Sequence, residues 1–206
     1  MKRLTPRVFD ARKCRSEWND FDQLIHANLV LDENKHILPF FKTRPDLSLL
    51  ISLYFPRLMR PDVFAHEYQI YGDFRADLVV GDSAAHNYLL VEFENGRPDS
   101  IFKKNSKATP DWAPRFEGAF SQLLDWLWKL DDMRSTADFG HAFGDRQAKF
   151  HGLIVIGKGM SLDAREKSRL KWREEKVIVD SNAISFVSFD QLSSDLNAWL
   201  TRYYSV

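Results

Sequence analysis

Three acids sit where strand-forming sequence should be apolar. Residues 74–80 read Phe-Arg-Ala-Asp-Leu-Val-Val and residues 88–95 read Tyr-Leu-Leu-Val-Glu-Phe-Glu-Asn, which puts Asp77, Glu92 and Glu94 inside two greasy runs. Side chains alternate faces along a strand, so Glu92 and Glu94 point one way while Leu89, Val91 and Phe93 point the other. On the first run Asp77 and Val79 share a face, opposite Ala76, Leu78 and Val80. If the runs pair, a few registers gather the three carboxylates on one patch. Like charges opposed on a sheet destabilise it, and a buried, unpaired carboxylate is costly. Such a patch suits a hard divalent cation, magnesium above all, and that combination is the core of a phosphodiesterase site. The competing reading is a solvated edge hairpin whose acids block further pairing.

The elements that must position these acids follow from period and punctuation. Residues 1–20 are charged and mixed and read as partly disordered. Phe21, Leu24, Ile25 and Leu29 are spaced as a helix. A second helix is expected from Asp46, a cap after Pro45, to about Tyr54, before Pro56. The period then changes to two over Val63–Tyr71, and Gly72-Asp73 and Gly81-Asp82-Ser83 turn the chain into an antiparallel meander. Residues 95–113 and 134–148 read as loops. Between them Pro114 opens a long amphipathic helix marked by Phe116, Ala119, Phe120, Leu123, Leu127 and Leu130. His151–Ile156 is a buried strand, and Asp163 with Glu166 is a capping box that opens a charged helix. Strands at Val177–Val179 and Ile184–Phe189 and a last helix capped by Asp190 complete the chain. The fold class is α/β: a mixed sheet flanked by helices. An N-terminal helical extension (1–60) precedes a core domain (61–206).

Composition sets limits. There are 29 basic and 29 acidic residues, so a nucleic-acid partner can rest only on local patches. A single cysteine, Cys14, excludes a disulfide framework and a cysteine-rich zinc site. No apolar run reaches the roughly 18 residues that span a bilayer. No apolar core follows the basic start, as a secretory signal would need. A cytoplasmic protein with no membrane partner is expected.

With Asp77, the Glu92-Phe93-Glu94 step and the following helix in place, the pattern resembles the PD-(D/E)xK nuclease superfamily, the restriction-endonuclease-like fold. More narrowly, residues 90–102 (Leu-Val-Glu-Phe-Glu-Asn-Gly-Arg-Pro-Asp-Ser-Ile-Phe) and 114–126 (Pro-Arg-Phe-Glu-Gly-Ala-Phe-Ser-Gln-Leu-Leu-Asp-Trp) resemble the Shedu anti-phage nuclease family. The resemblance implies a magnesium-dependent DNA endonuclease, with manganese as a substitute, that forms a homo-oligomer. It makes Asp77 and Glu92 metal ligands, with the Phe93 carbonyl as a third. Gln122 and Trp126 match a Gln-x-x-x-aromatic pattern in which the glutamine reaches toward the metal or the phosphate. The superfamily's lysine, two residues after the second acid, is Glu94 here. That glutamate either takes a proton from the attacking water or helps hold a second metal, and Lys103 or Lys104 is a candidate for the missing positive charge.

Other residues carry weaker readings. Arg97, Lys103, Lys104, Lys107 and Arg115 could hold a phosphate backbone or simply line a solvated loop. Glu67 is either a further acid near the metal or a solvent-facing glutamate; His66 and His151 read as structural, Gly157-Lys158-Gly159 as a turn, and the helix after Asp163 as a charged surface. The rival to an enzyme is a degenerate nuclease fold kept as a DNA-binding or regulatory module. Action on RNA or a cyclic nucleotide, and a partner-binding role for Trp112, Trp126 and Trp128, are further alternatives.

Overall fold

A computed structural model describes residues 3–103, 109–160, 162–179 and 182–206. Strands β1 (Thr5–Pro6), β2 (Val63–Ile70), β3 (Phe74–Asp82), β4 (Asn87–Phe93) and β5 (Lys149–Val155) lie side by side in chain order. The short β6 (Ile178–Val179) hairpins onto the outer side of β7 (Asn182–Val187), and β7 adds to β5. Pairing is antiparallel from β1 to β4 and parallel from β4 through β5 to β7. The parallel steps need crossovers: α4 (Pro114–Met133) and α5 (Ala137–Phe143) make the first, α6 (Ala164–Lys176) the second. Helices α1 (Ala11–Ala27), α2 (Leu38–Lys42) and α3 (Pro45–Leu50) precede the meander, and α7 (Phe189–Tyr204) ends the chain. The class is mixed α/β, as expected.

Helices cover both faces of the sheet, so the strands are apolar almost throughout. On one face Phe21, Ile25, Leu47, Leu192 and Leu196 from α1, α3 and α7 meet Leu78, Val80, Leu89, Val91 and Leu153. On the other, Phe116, Leu123, Trp126, Phe139 and Phe143 from α4 and α5 meet Val79, Leu90, Phe150 and Ile154. Trp126 is among the largest fully buried side chains. Trp126→Ala is therefore expected to lower unfolding free energy by about 3–5 kcal/mol, the usual range for deleting a buried aromatic. A urea midpoint equal to wild type would contradict that packing.

Several elements differ from expectation. The first twenty residues are ordered: Asp10 caps α1 by accepting the Arg12 and Lys13 N–H groups, at 3.0 and 3.1 Å. Its early apolar positions are sparse, because much of α1 faces water and Cys14 and Trp18 alone precede Phe21 in the core. Asp46 is no cap. It lies buried within α3 and takes the Arg7 guanidinium and the Asp10 N–H. The expected 134–148 loop holds α5, capped by Thr136 and closed by Gly144 at φ +76°. Ser188, not Asp190, caps α7, and Asp190 instead accepts the Gly159 N–H at 2.7 Å. The helix α6 is more than a charged surface. Its Arg173 forms a two-pronged pair with Glu117 (2.7 and 2.8 Å), and Arg169 and Arg173 lie over the Phe102–Trp112–Phe116 stack.

Strict alternation also fails in β2 and β3, and it fails beside the acids. Leu78 and Val80 belong to one core, yet both Ala76 and Val79 belong to the other. Phe64 likewise faces away from Val63 and Ala65, but Tyr68 and Ile70 join those two. The change of face falls at Glu67 and Asp77, flanked by the His66–Leu78 and Tyr68–Ala76 pairs. Glu67 has φ +48°, a left-handed conformation that re-aims the strand as a bulge does. Its carboxylate pairs with Lys42 (2.9 Å) and Arg75 (3.5 Å).

Candidate active site

The register places the acids together. Leu78 pairs with Val91, and the same register continued by one residue sets Asp77 opposite Glu92. The backbone ladder stops there. Instead the Phe93 N–H donates to the Asp77 carboxylate at 2.8 Å, a charge-assisted bond that fixes it at the end of the ladder. Glu92 lies opposite Ile154 of β5, on the sheet face that α4 covers. Glu94, two residues on, keeps the same face as the chain leaves β4, and its N–H still bonds the Val155 carbonyl at 2.9 Å. Asp77, Glu92 and Glu94 are all buried.

A fourth acid joins them that sequence reasoning missed. Leu31 and Gly96 exchange backbone hydrogen bonds of 3.0 and 2.8 Å, which ties the chain after α1 to the chain after β4. A Cβ at Gly96 would stand 2.9 Å from the Leu31 Cβ and 3.0 Å from the Phe189 ring, so glycine permits this approach. Two residues after Leu31, Glu33 opens a π-helical turn (33–37), and its N–H donates to the Asn95 Oδ1 at 2.8 Å. Nothing in the polar run Asp32-Glu33-Asn34-Lys35 marks Glu33 as a site residue, because only the long-range Leu31–Gly96 bridge brings it in.

The electrostatics report the crowding. Burial pushes the Glu92 carboxyl upward, and the negative charges of Asp77, Glu94 and Glu33 add to that. Burial also raises Asp77, opposed by the Phe93 N–H and by a hydrogen bond with Glu92. The Asp77–Glu92 pair thus tends to keep one proton between them. Glu33 rises to about 7 through burial and then the charges of Glu94 and Asp77, with Arg115 pulling the other way. Arg115, in the first turn of α4, donates to Glu94 at 3.1 Å.

The remaining expected site residues are elsewhere. Gln122 is exposed on α4, two turns beyond Arg115 and on the same side of the helix. Trp126 packs in the core. Lys103 is exposed, with its N–H on the Asp111 carbonyl, while Lys104 and Lys107 lie outside the described residues. His151 is structural: it stacks on Phe55 and meets the Ser185 hydroxyl at 2.9 Å. His66 meets Ser48.

The donors fit a hard divalent cation in kind. They are oxygens only, buried, and in excess of positive charge, and a cation could relieve the crowding that raises the proton affinity of Asp77 and Glu92. As the side chains stand, no three acids among the described residues are drawn round one point. Asp77 is engaged by Phe93 and Glu92, and Glu94 by Arg115.

A family profile for the C-terminal region of Shedu protein SduA matches residues 31–193. The chain belongs to the Shedu family. The matched span of this Shedu chain begins two residues before Glu33 and contains Asp77, Glu92, Glu94, Arg115 and Gln122. A comparison with curated proteins returned no match.

Proposed function

We propose that this Shedu chain is a magnesium-dependent DNA endonuclease acting in anti-phage defence in the cytoplasm. The observation that carries the reading is the convergence of Asp77, Glu92 and Glu94, buried at the strand ends, with half-buried Glu33 beside them, so that neighbouring negative charge raises the proton affinity of Asp77, Glu92 and Glu33. Buried carboxylates gathered at such a cost in stability mark functional sites. Family membership supports the defence role, and a meander running into parallel strands supports a restriction-endonuclease-like fold.

Asp77 and Glu92, with the Phe93 carbonyl, would hold the magnesium, and manganese would substitute. When bound, that cation would acidify a water and neutralise charge on the phosphate. In hydrolysis the water oxygen bonds to phosphorus while the phosphorus–oxygen bond to the leaving sugar oxygen breaks. The water's proton passes to a carboxylate, and the leaving oxygen takes a proton from solvent. Glu94 or Glu33 would accept the first, Glu33 with a value of about 7. Gln122 would be an accessory contact to the DNA. A homo-oligomer belongs to the same reading. Among the described residues no helix is long and apolar enough to cross a membrane.

One observation favours a second reading, a DNA-binding or regulatory module that does not cut. Glu94, in the place of the superfamily's lysine, is paired with Arg115, and no three acids among the described residues surround one point. The test is incubation of supercoiled plasmid with wild type, Asp77→Ala and Glu92→Ala in magnesium, manganese or EDTA. The nuclease reading requires metal-dependent cutting that both variants abolish. Cation-dependent DNA binding without cutting supports the second reading, and cutting in EDTA contradicts the first.

A further inference from the structure

Among the described residues, Arg115 alone forms an ion pair with any of the four clustered acids. It carries its charge on the first turn of α4, a 20-residue helix whose cap position, Ala113, offers no side-chain cap. The positive end of the helix dipole lies in that first turn, and the Arg115–Glu94 pair sets the turn beside the acids. Arg115 is half exposed, at 54%, while its partner Glu94 is 9% exposed. One guanidinium N–H meets Glu94 at 3.1 Å, and among the described residues the rest of the fork has no hydrogen bond. Phosphodiester hydrolysis adds negative charge at phosphorus, and four carboxylates alone would repel it. A planar, permanently charged fork at the rim is suited to take two phosphate oxygens.

Resting on the nuclease reading above, we propose that Arg115 is a catalytic residue that contacts the scissile phosphate. Glu94 is its resting partner: a buried carboxylate at the end of β4 that holds the guanidinium at the rim until a phosphate arrives. The alternative role, a brace that merely positions Glu94, makes a different prediction when Glu94 is gone.

The experiment measures binding of a fluorescent duplex DNA against salt concentration, in calcium, for wild type, Arg115→Ala, Glu94→Gln and the double variant. Each phosphate contact contributes about 0.9 to the slope of log affinity on log salt. Arg115→Ala is expected to lower that slope by about one, in the wild-type and the Glu94→Gln backgrounds alike. In magnesium, Arg115→Ala is expected to lower kcat by roughly 10²-fold, the scale for one transition-state donor, and Arg115→Lys to recover part of it. An unchanged slope in Arg115→Ala, or a change that vanishes once Glu94 is glutamine, would overturn the proposal and leave the nuclease reading standing. A wild type that neither binds nor cuts DNA would overturn both.

Discussion

Glu92→Gln is expected to reduce magnesium-dependent DNA cleavage by roughly 10²–10⁴-fold, the range for removing a group that binds or moves protons at the reacting centre, while making the protein more stable at pH 8. The two effects share one cause. Glu92 is buried on the sheet face beneath α4, beside Asp77, Glu94 and Glu33, and its ionised form is opposed by burial and by all three charges. Glutamine keeps the shape and can still meet the Asp77 carboxylate, but it brings no charge. Removing a buried, poorly compensated carboxylate should stabilise by about 2 kcal/mol. A stability gain with loss of function is the mark of a site kept for chemistry. Cleavage assays and thermal melts on the same preparations check both halves. A variant that melts earlier than wild type and cuts normally would assign Glu92 a structural role.

The cation-free protein is also expected to lose stability as pH rises from about 5 to 8. Asp77, Glu92 and Glu33 all hold protons more tightly folded than unfolded. Such groups favour the folded state fully below their unfolded values, and that contribution disappears as pH rises through their folded values. For Glu33 the window runs from 4.5 to about 7. Asp10, Asp32 and Glu117 act in the opposite sense. Hydrogen bonds from backbone N–H groups, or from Arg173 in the last case, hold them below their ordinary values, so their contribution is lost only toward acid pH. Magnesium should reverse the alkaline loss, adding about 1.4 kcal/mol for each tenfold excess over its dissociation constant. Thermal melts at pH 5 and 8, with and without magnesium, read this directly. Equal Tm values at both pH values, or the same magnesium gain in Glu92→Gln, would contradict it.

Much of the frame was legible because local signals agreed with the fold. Gly72-Asp73 marks the first meander turn, Pro114 opens α4, and Asp163 with Glu166 makes the capping box seen at α6, whereas Gly81 and Asp82 pair within β3 and the second turn follows at 83–86. The acids on β3 and β4 were visible because carboxylates are out of place in apolar strands. What stayed hidden depends on contacts distant in sequence. The start of α1 buries too few residues to show a period, and α5 is a short helix between polar turns. The face change at Glu67 and Asp77 breaks the very alternation by which strands are read. Glu33 reaches the cluster only through the Leu31–Gly96 bridge, and the pairing of Arg115, already a candidate phosphate contact in the sequence, with Glu94 depends on the placement of α4. Of the basic residues named near the site, the structure brings Arg115 to Glu94, while Lys103 stays exposed.

The nuclease reading requires the acid cluster to hold a divalent cation. Electron paramagnetic resonance of manganese, titrated into wild type, Asp77→Asn and Glu92→Gln, tests it without requiring catalysis. A bound cation means loss of the free-manganese signal with wild type and its return to buffer level with either variant. A free-ion spectrum with wild type, or equal binding by all three proteins, would contradict it.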